Sequence, residues 1–315
     1  MSVAEWLTFG LVTPLCTGLF LHLAPRLGLV DRPSEAPERK LQARPVPAVG
    51  GLALVMAALV FFGISRVTGD PGSLWQLFEP GAALAILLAF SVGLVDDLLR
   101  AGLSPLQKVT LQGVAALPLV WLAPGIEGWA LWFAGIAAMN VVNTFDNSDG
   151  CLTALCAAAL WPLSAAVALG LTTFLPFNLG RAPLDAPPGD PRRLPARAYL
   201  GDAGSHMLGM LLLFFPGAWL TLVLPAFDLA RVCVLRWAAG TPPWEGDRRH
   251  LAHRFEDRGW PPWAIALSQV AIAAPAIFVG TSGAAEDPFA LFAGVSLTGI
   301  LFGLAVLVSQ PQVDG

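Results

Sequence analysis

Acidic side chains lie at the ends of several long apolar runs. Few kinds of chemistry require charged groups at such positions. Asp96 and Asp97 end one such run in the string V-G-L-V-D-D-L-L-R. Two adjacent carboxylates repel each other and gain from a divalent cation or a cationic partner. An ionisable group at the edge of a membrane span costs a few kcal/mol, so it usually marks a functional site. The pair therefore predicts a cation-dependent site, and a solvated helix end is the alternative.

Two further clusters combine carboxylates with amides and glycines. Asn140–Gly150 places Asn143, Asp146 and Asp149 directly after an apolar helix. The alternative is an Asx-rich turn, since Asn, Asp and Gly are common turn residues. Tyr199–Ser205 contains G-D-A-G-S, whose glycines let the backbone approach a ligand and whose aspartate could reach a metal. A helix start capped by Asp or Ser is the alternative there.

The remaining clusters are basic. In Asp247–Arg254, His250 and His253 lie at i and i+3 and would share one face of a helix, with arginines alongside. Such a face suits phosphate, and a basic anchor for lipid headgroups is the alternative. The fifth cluster, Asp31–Gly51, has the composition of a basic loop that enters a helix through a pair of glycines. Taken alone, it requires no site.

The composition indicates a membrane protein. Of 315 residues, 56% are hydrophobic and only 13% are charged, whereas a soluble domain carries about 25% charge. The apolar runs approach the roughly 20 residues that span about 30 Å of hydrocarbon as a helix. We therefore predict an all-α, polytopic helical bundle of about 9–11 transmembrane or re-entrant helices, in one domain covering residues 1–315. The main apolar runs are Trp6–His22, Gly50–Ile64, Gly81–Leu94, Gly128–Val142, Trp263–Gly280 and Pro288–Val308.

The basic residues predict the orientation of the chain. All but one of the 18 Lys and Arg residues lie in four segments, which the positive-inside rule places in the cytoplasm. These segments are Arg26–Arg44, Arg100–Lys108, Arg181–Arg197 and Arg231–Arg258. We expect cytoplasmic catalytic loops near residues 31–47, 96–108, 143–150, 178–205 and 241–259. The path of the chain across the membrane is not decided in the gaps 151–177 and 206–224. Each gap is long enough for one crossing, whereas a return to the cytoplasmic side requires two crossings or a re-entrant pair of helices.

Together and in this order, the five clusters resemble the motifs of the polyprenyl-phosphate N-acetylhexosamine-1-phosphate transferases of glycosyltransferase family 4. The match runs from about Leu29 to Gly259. It includes the strings L-V-D-x-P, P-x-P-x-x-G-G, D-D, N-x-x-N-x-x-D-x-x-D-G, G-D-x-G-S, P-x-x-D at Pro225–Asp228 and D-x-x-H-L-x-H-R. The last string is more similar to the undecaprenyl-phosphate N-acetylglucosamine-1-phosphate branch than to the phospho-N-acetylmuramoyl-pentapeptide translocase.

The resemblance implies transfer of a sugar 1-phosphate from a UDP-N-acetylhexosamine to undecaprenyl phosphate, with release of UMP. Such a reaction would begin a cell-envelope glycan pathway, for cell wall or lipopolysaccharide. Mg²⁺, with Mn²⁺ as the alternative ion, would act at the cytoplasmic face of the bacterial inner membrane. Membrane lipid and a second copy of the chain, as a homodimer, are the further partners that the family suggests, and no nucleic acid partner is expected.

The resemblance also implies roles for individual residues. Asp202 matches a Mg²⁺ ligand, and Asp96 and Asp97 match the pair nearest the lipid phosphate and the metal. His250 and His253 match residues that contact phosphate. The residues that match the nucleotide-sugar site are Asn143, Asp146, Asp149 near the uracil, Asn178, Tyr199 stacked on that base, and Arg254.

The residue types suit in-line attack on a pyrophosphate, in which Mg²⁺ and cationic side chains stabilise charge on the non-bridging oxygens. An acceptor phosphate has a second pKa near 6, so at neutral pH it is mostly deprotonated and needs no strong general base. We therefore favour direct attack by the lipid phosphate, with Asp96 or Asp97 orienting it or accepting a proton. A covalent aspartyl-phosphate route stays open.

Some residues depart from the family pattern. Asn147 stands in place of Gly, Ala252 in place of the middle residue of an H-x-H-H cluster, and Arg100 in place of Lys. A Pro-rich insertion, Gly180–Leu194, separates Asn178 from the motif that follows it. Because of these departures and the two short gaps, a catalytically inactive relative with an interaction role stays an alternative, as does a membrane transporter.

Overall fold

A computed structural model describes residues 2–32, 44–69, 74, 80–99, 101–187 and 190–310. The chain is 73% helical with almost no strand, which confirms the predicted all-α, polytopic membrane bundle. Arg100 and residues 33–43 of the first basic loop lie outside the described residues. The helices are α1 (Val3–Leu27), α2 (Gly50–Thr68), α3 (Pro80–Leu98), α4 (Pro105–Ala116), α5 (Ile126–Phe145), α6 (Cys151–Leu160), α7 (Ala165–Asn178), α8 (Gly201–Leu212), α9 (Ala218–Ala238), α10 (Leu251–Asp257), α11 (Pro262–Thr281) and α12 (Pro288–Val308).

Among the described residues, six helices are long and apolar enough to cross a membrane: α1, α2, α3, α9, α11 and α12. Five of the predicted apolar runs lie in these helices, and the sixth lies in α5, which has 20 residues. A helix satisfies its own main-chain hydrogen bonds, so a continuous apolar run can face lipid only in this form. The positions of the long helices therefore follow directly from the hydrophobic runs.

The first short gap contains two helices, α6 and α7, whereas the second contains the end of α8 and the start of α9. In the first, α6 and α7 have 10 and 14 residues, and α6 is too short to cross about 30 Å of hydrocarbon at about 1.5 Å per residue. The hydroxyl of Thr153, at the start of α6, donates to Asn178 Oδ1, at the end of α7, over 2.6 Å. The pair is thus a short helical hairpin whose two ends meet. In the second gap, α8 is followed by α9.

Helix α8 lies in the centre of the bundle, and every residue from Ala203 to Leu212 is buried. It packs against α2 and α3 with almost no side chain between the backbones. A Cβ atom on Gly51 would collide with the backbone of Gly204, and one on Gly93 with the carbonyl of Asp202. Glycine is required at these two positions because only hydrogen fits in the gap. The aspartate of G-D-A-G-S is thereby fixed against α3.

A short antiparallel pair, β1 (Val30–Asp31) and β2 (Val46–Pro47), is the one sheet among the described residues. Val30 lies opposite Pro47, and the N–H of Tyr199 donates to the carbonyl of Pro47 over 2.8 Å. The loop that precedes α2 is therefore attached to the segment that leads into α8. The sequence analysis predicted no strand here.

Candidate functional site

An ammonium group lies between two of the predicted acids. Lys108 Nζ is 2.6 Å from Asp96 Oδ2 and 2.5 Å from Asp202 Oδ2. The three residues belong to α4, α3 and α8, so carboxylates more than 100 positions apart in the chain meet at one cation. The side chains of Lys108 and Asp96 are only 20% and 7% exposed. Because both side chains are largely shielded from solvent, the attraction between their charges is stronger than it would be in water.

Asn143, on α5, brings a fourth helix to this centre. Its Nδ2 donates to Asp202 Oδ1 over 2.7 Å and to Ser205 Oγ over 3.0 Å, while its Oδ1 accepts from Lys108 Nζ over 3.3 Å. Both oxygens of Asp202 therefore have a donor, one charged and one neutral. An amide suits this place because it can donate to the carboxylate and accept from the ammonium at the same time.

Asp97 performs a different task from its neighbour. Its two oxygens accept the main-chain N–H groups of Asp202 and Ala203, each over 2.9 Å. Asp96 Oδ1 accepts the N–H of Leu103 over 2.5 Å, which closes the turn between α3 and α4. The first N–H groups of a helix have no partner within it, and a carboxylate also suits the positive end of the helix dipole. Asp97 thus caps α8 and fixes the position of Asp202.

Carboxylate and amide oxygens are the ligands that Mg²⁺ prefers, so Asp96, Asp202 and Asn143 fit this ion in their chemistry. Within the described parts of the chain, however, no three His, Cys, Asp or Glu side chains are placed to hold a metal together. Lys108 Nζ occupies the point where the two carboxylates converge. A metal ion would therefore share these oxygens with the ammonium or displace it.

Asp146 and Asp149 are partly buried in the turn after α5. Burial, followed by the negative charges of Asp202 and Asp149, raises the pKa of Asp146 to about 8. Burial also raises the pKa of Asp149 to about 7, although Asp149 accepts the main-chain N–H groups of Ala196, over 2.8 Å, and Gly180. Asp149 therefore joins the two ends of the Pro-rich insertion. These two N–H groups use some of the hydrogen-bonding positions of the carboxylate that the family resemblance places near the nucleotide base.

The other two predicted nucleotide residues have different surroundings. The Asn178 side chain is 2% exposed, and its amide bonds Thr153 and the carbonyl of Ala198 over 3.1 Å. Its placement is that of a structural residue holding the helical hairpin to the segment before α8. Tyr199 is partly buried, and burial, followed by the charges of Asp149 and Asp31, raises the pKa of its phenol. The charge of Asp149 therefore acts on the Tyr199 phenol.

His250 is held by a carboxylate from α9. Its Nδ1 lies 2.8 Å from Asp228 Oδ2, while Asp228 Oδ1 accepts from Leu251 N over 3.1 Å and from Arg231 over 3.0 Å. His250 and Asp228 are both almost completely buried. A carboxylate on Nδ1 fixes the ring orientation and leaves Nε2 as the atom free to meet a ligand. Asp228 is therefore a positioning residue for His250.

His253 and Arg254 lie on α10 and point to different partners. His253 Nδ1 is 3.1 Å from Glu256 Oε2, and Glu256 also pairs with Arg248 over 3.1 Å. The negative charge of Glu256 also contributes to the raised pKa of Asp149. Arg254 Nε instead donates to the carbonyl of Ser309, at the end of α12, over 3.1 Å. This bond directs the guanidinium towards α12.

The sequence analysis missed Lys108 and Asp228 as site residues. Lys108 was used only to orient the chain, although a single lysine in an apolar helix is itself a signal. Asp228 was noted within P-x-x-D, without a role. The residues that the structure brings together around the acidic centre are Asp96, Asp97, Asn143 and Asp202, with Asp146 and Asp149 beside them and His250 and His253 on the neighbouring segment.

The fold and site define a multi-pass membrane protein with a lysine–carboxylate centre built by four helices. Three comparisons specify the class further. Over 262 residues the chain is 26% identical to the undecaprenyl-phosphate alpha-N-acetylglucosaminyl 1-phosphate transferase of Thermotoga maritima, covering 76% of this chain and 77% of the relative. It is 25% identical to the decaprenyl-phosphate N-acetylglucosaminephosphotransferase of Mycolicibacterium smegmatis, covering 79% and 74%. It is 26% identical to the phospho-N-acetylmuramoyl-pentapeptide-transferase of Deinococcus radiodurans, covering 79% and 89%.

No protein-family model matches the chain. The relatives nevertheless confirm the resemblance found in the motifs, because they align over most of the chain at about 25% identity. The chain is a relative of the polyprenyl-phosphate N-acetylhexosamine-1-phosphate transferases, glycosyltransferase family 4.

Proposed function

We propose that this chain transfers a sugar 1-phosphate, as N-acetylhexosamine 1-phosphate, from a UDP-sugar to a polyprenyl phosphate and releases UMP. The reaction would take place where the membrane meets the cytoplasm. The names of the relatives support the acceptor and the type of transfer. The observation that carries the proposal is the convergence of Asp96, Asp202 and Asn143 on Lys108.

This centre suits a reaction between two phosphates. In-line transfer develops charge on the non-bridging oxygens of the diphosphate, and preorganised cations stabilise that charge. Lys108 is held in place before the substrate arrives, so its charge needs no reorganisation during the reaction. Asp202 and Asp96 would hold Mg²⁺, which would supply further charge stabilisation when bound. Asp97 would act indirectly, by holding Asp202.

The remaining predicted residues surround this centre. His250 and His253 would contact phosphate through Nε2, because the Nδ1 atom of each faces a carboxylate. Asp146, Asp149 and Tyr199 would line the nucleotide site. We assign Asn178 and Arg254, first predicted as nucleotide ligands, to holding the site together, since their side chains bond neighbouring segments of the protein.

The direct test is release of UMP from purified protein supplied with Mg²⁺, undecaprenyl phosphate and UDP-N-acetylglucosamine. We expect Asp202→Asn to abolish release, because the substitution removes the charge that pairs with Lys108. Asp185→Asn is the matched control, since that side chain is 74% exposed in the insertion. If no UDP-N-acetylhexosamine yields UMP, the proposal is wrong and a non-enzymatic role takes its place.

The membrane face is tested separately by labelling a single cysteine from each side in a cysteine-free background. Gly189, in the insertion, lies outside the described residues. Leu184 is in the same insertion and is 76% exposed, so Leu184→Cys is the better probe. Reaction from the inside only agrees with a cytoplasmic site, and reaction from the outside contradicts it.

A further inference from the structure

A second layer of polar side chains lies directly behind the lysine–carboxylate centre. Gln112 follows Lys108 by four residues on α4, and His206 follows Asp202 by four residues on α8. Asn140 precedes Asn143 by three residues on α5. Residues three or four apart share one helix face. Three of the four helices that form the site, α4, α5 and α8, are therefore joined again, one turn away from it, by a second set of side chains.

Hydrogen bonds connect this second layer completely. The Gln112 amide donates to Asn140 Oδ1 over 3.4 Å and accepts from Asn140 Nδ2 over 2.7 Å. Gln112 Nε2 also lies 2.9 Å from His206 Nε2. The spare hydrogen of Asn140 Nδ2 bonds the carbonyl of Ile136 over 2.8 Å. Gln112 and His206 are completely buried, so water cannot reach their polar atoms. The hydrogen bonds within the layer therefore supply the partners that these atoms need.

The layer ends on the main chain of the acidic residue itself. His206 Nδ1 is 2.8 Å from the carbonyl oxygen of Asp202. A carbonyl can only accept, so the ring proton lies on Nδ1 and Nε2 accepts from the amide of Gln112. The backbone at Asp202 is consequently held from two sides, by Asp97 at its N–H and by His206 at its carbonyl.

We propose that Gln112, Asn140 and His206 form a positioning layer that fixes Lys108, Asn143 and Asp202 relative to one another. The proposal rests on the proposed function for its catalytic consequence. An apolar layer would define the rotation and height of the three helices less sharply, because the hydrophobic effect is not directional. Hydrogen bonds fix both, because they weaken steeply with distance and angle. A reacting group misplaced by about 1 Å can lose roughly 100-fold in rate, so such control matters at this site.

The test compares two glutamines changed in the same way. Gln112→Met keeps the approximate volume of the side chain and removes its hydrogen bonds. Gln269→Met is the matched control, because Gln269 on α11 is also fully buried and its amide has no partner among the described residues. For UMP release we expect Gln112→Met to lower kcat about 10-fold or more with KM for the UDP-sugar nearly unchanged. Gln269→Met should keep the wild-type kcat.

A rescue separates hydrogen bonding from packing. The double variant Gln112→Asn with Asn140→Gln restores a reciprocal amide pair of the same total length, so it should recover kcat above that of either single variant. Equal kcat values for Gln112→Met and Gln269→Met, or a double variant worse than both singles, would overturn the proposal.

A second readout does not depend on enzyme activity. The chain has only two lysines, Lys40 and Lys108, so the reaction of Lys108 with an amine reagent can be followed by mass spectrometry with Lys40 as the internal reference. We expect Gln112→Met to raise the labelling rate of Lys108 several-fold, because its carboxylate partners shift. An unchanged rate contradicts the positioning layer. If the wild-type protein releases no UMP while the labelling rate still rises, the proposed function fails and the positioning layer stands.

Discussion

The carboxylate of Asp97 accepts the main-chain N–H of Asp202 over 2.9 Å. Asp202 thus lies at the start of a helix, α8, whose position is set by Asp97, the second acid of the D-D pair. The two carboxylates of that pair consequently have different roles: Asp96 faces the ammonium of Lys108, and Asp97 faces the backbone of α8.

Asp97→Asn should separate these roles. The amide has one acceptor oxygen instead of two, so one buried N–H of α8 loses its partner at a cost of about 1–3 kcal/mol. We expect a lower apparent melting temperature in detergent and at least a 10-fold slower release of UMP. Asp257→Asn, on an exposed side chain, is the control. A variant with wild-type melting temperature and rate would show that the cap is unimportant.

Lys108→Met should make the protein dependent on Mg²⁺ for stability. Without the ammonium, Asp96 and Asp202 face each other with no positive charge between them, and the repulsion favours binding of a cation. We expect an apparent melting temperature below wild type in EDTA, a larger rise on adding Mg²⁺ than wild type shows, and loss of UMP release by about 100-fold or more. An equal response of both proteins to Mg²⁺ would contradict this account of the centre.

Gly93→Ala should displace Asp202 without changing any polar group. The added methyl would collide with the carbonyl of Asp202, so α3 and α8 must separate. We expect slower UMP release together with a lower melting temperature. Gly63→Ala is the matched control, because no atom outside the adjacent stretch of its own helix lies within 4 Å of the new methyl there. That variant should stay within about 0.5 kcal/mol of wild-type stability. Similar behaviour of the two variants would argue against close packing of α3 on α8.

Asp228→Asn should act through His250. The substitution weakens the bond that orients the imidazole and leaves Arg231 without its paired charge. We expect kcat/KM for the UDP-sugar to fall about 10-fold, mainly through KM, if His250 contacts phosphate. Combining Asp228→Asn with His250→Gln should cost little more than the larger single effect, since the two residues act as a unit. Full additivity would show that they act independently.

Asp146→Asn should flatten the dependence of stability on pH. The folded pKa of Asp146 is raised from 3.8 to about 8, so the folded protein favours the protonated form. Its stabilising contribution is complete below about pH 4 and is lost as pH rises through 8. In EDTA, wild-type apparent melting temperature should fall between pH 5.5 and pH 9, and the variant should fall less. Asp185→Asn, at a side chain that is 74% exposed, should follow wild type. Parallel curves for wild type and Asp146→Asn would contradict the raised pKa.

The sequence alone was sufficient to predict five of the six helices that are long and apolar enough to cross a membrane, and it missed α9. Apolar runs of nearly 20 residues have one stable form in lipid, so α2, α11 and α12 are set by composition and length. The order of the motifs was sufficient to predict the family resemblance that the relatives confirm, because that information is carried by residue type and spacing. Neither kind of signal requires knowledge of which helices are neighbours.

Only the tertiary structure decided which groups meet. Periodicity could not show that Lys108 bridges Asp96 and Asp202, because contacts across more than 90 residues depend on the packing of helices and not on local pattern. It also could not resolve the short gap after Gly150, since a hairpin of two short helices and one full crossing have the same apolar composition. The packing of α8 against glycines of α2 and α3 brings the distant acids together, and it does so through backbone contacts that leave no hydrophobic pattern in the sequence.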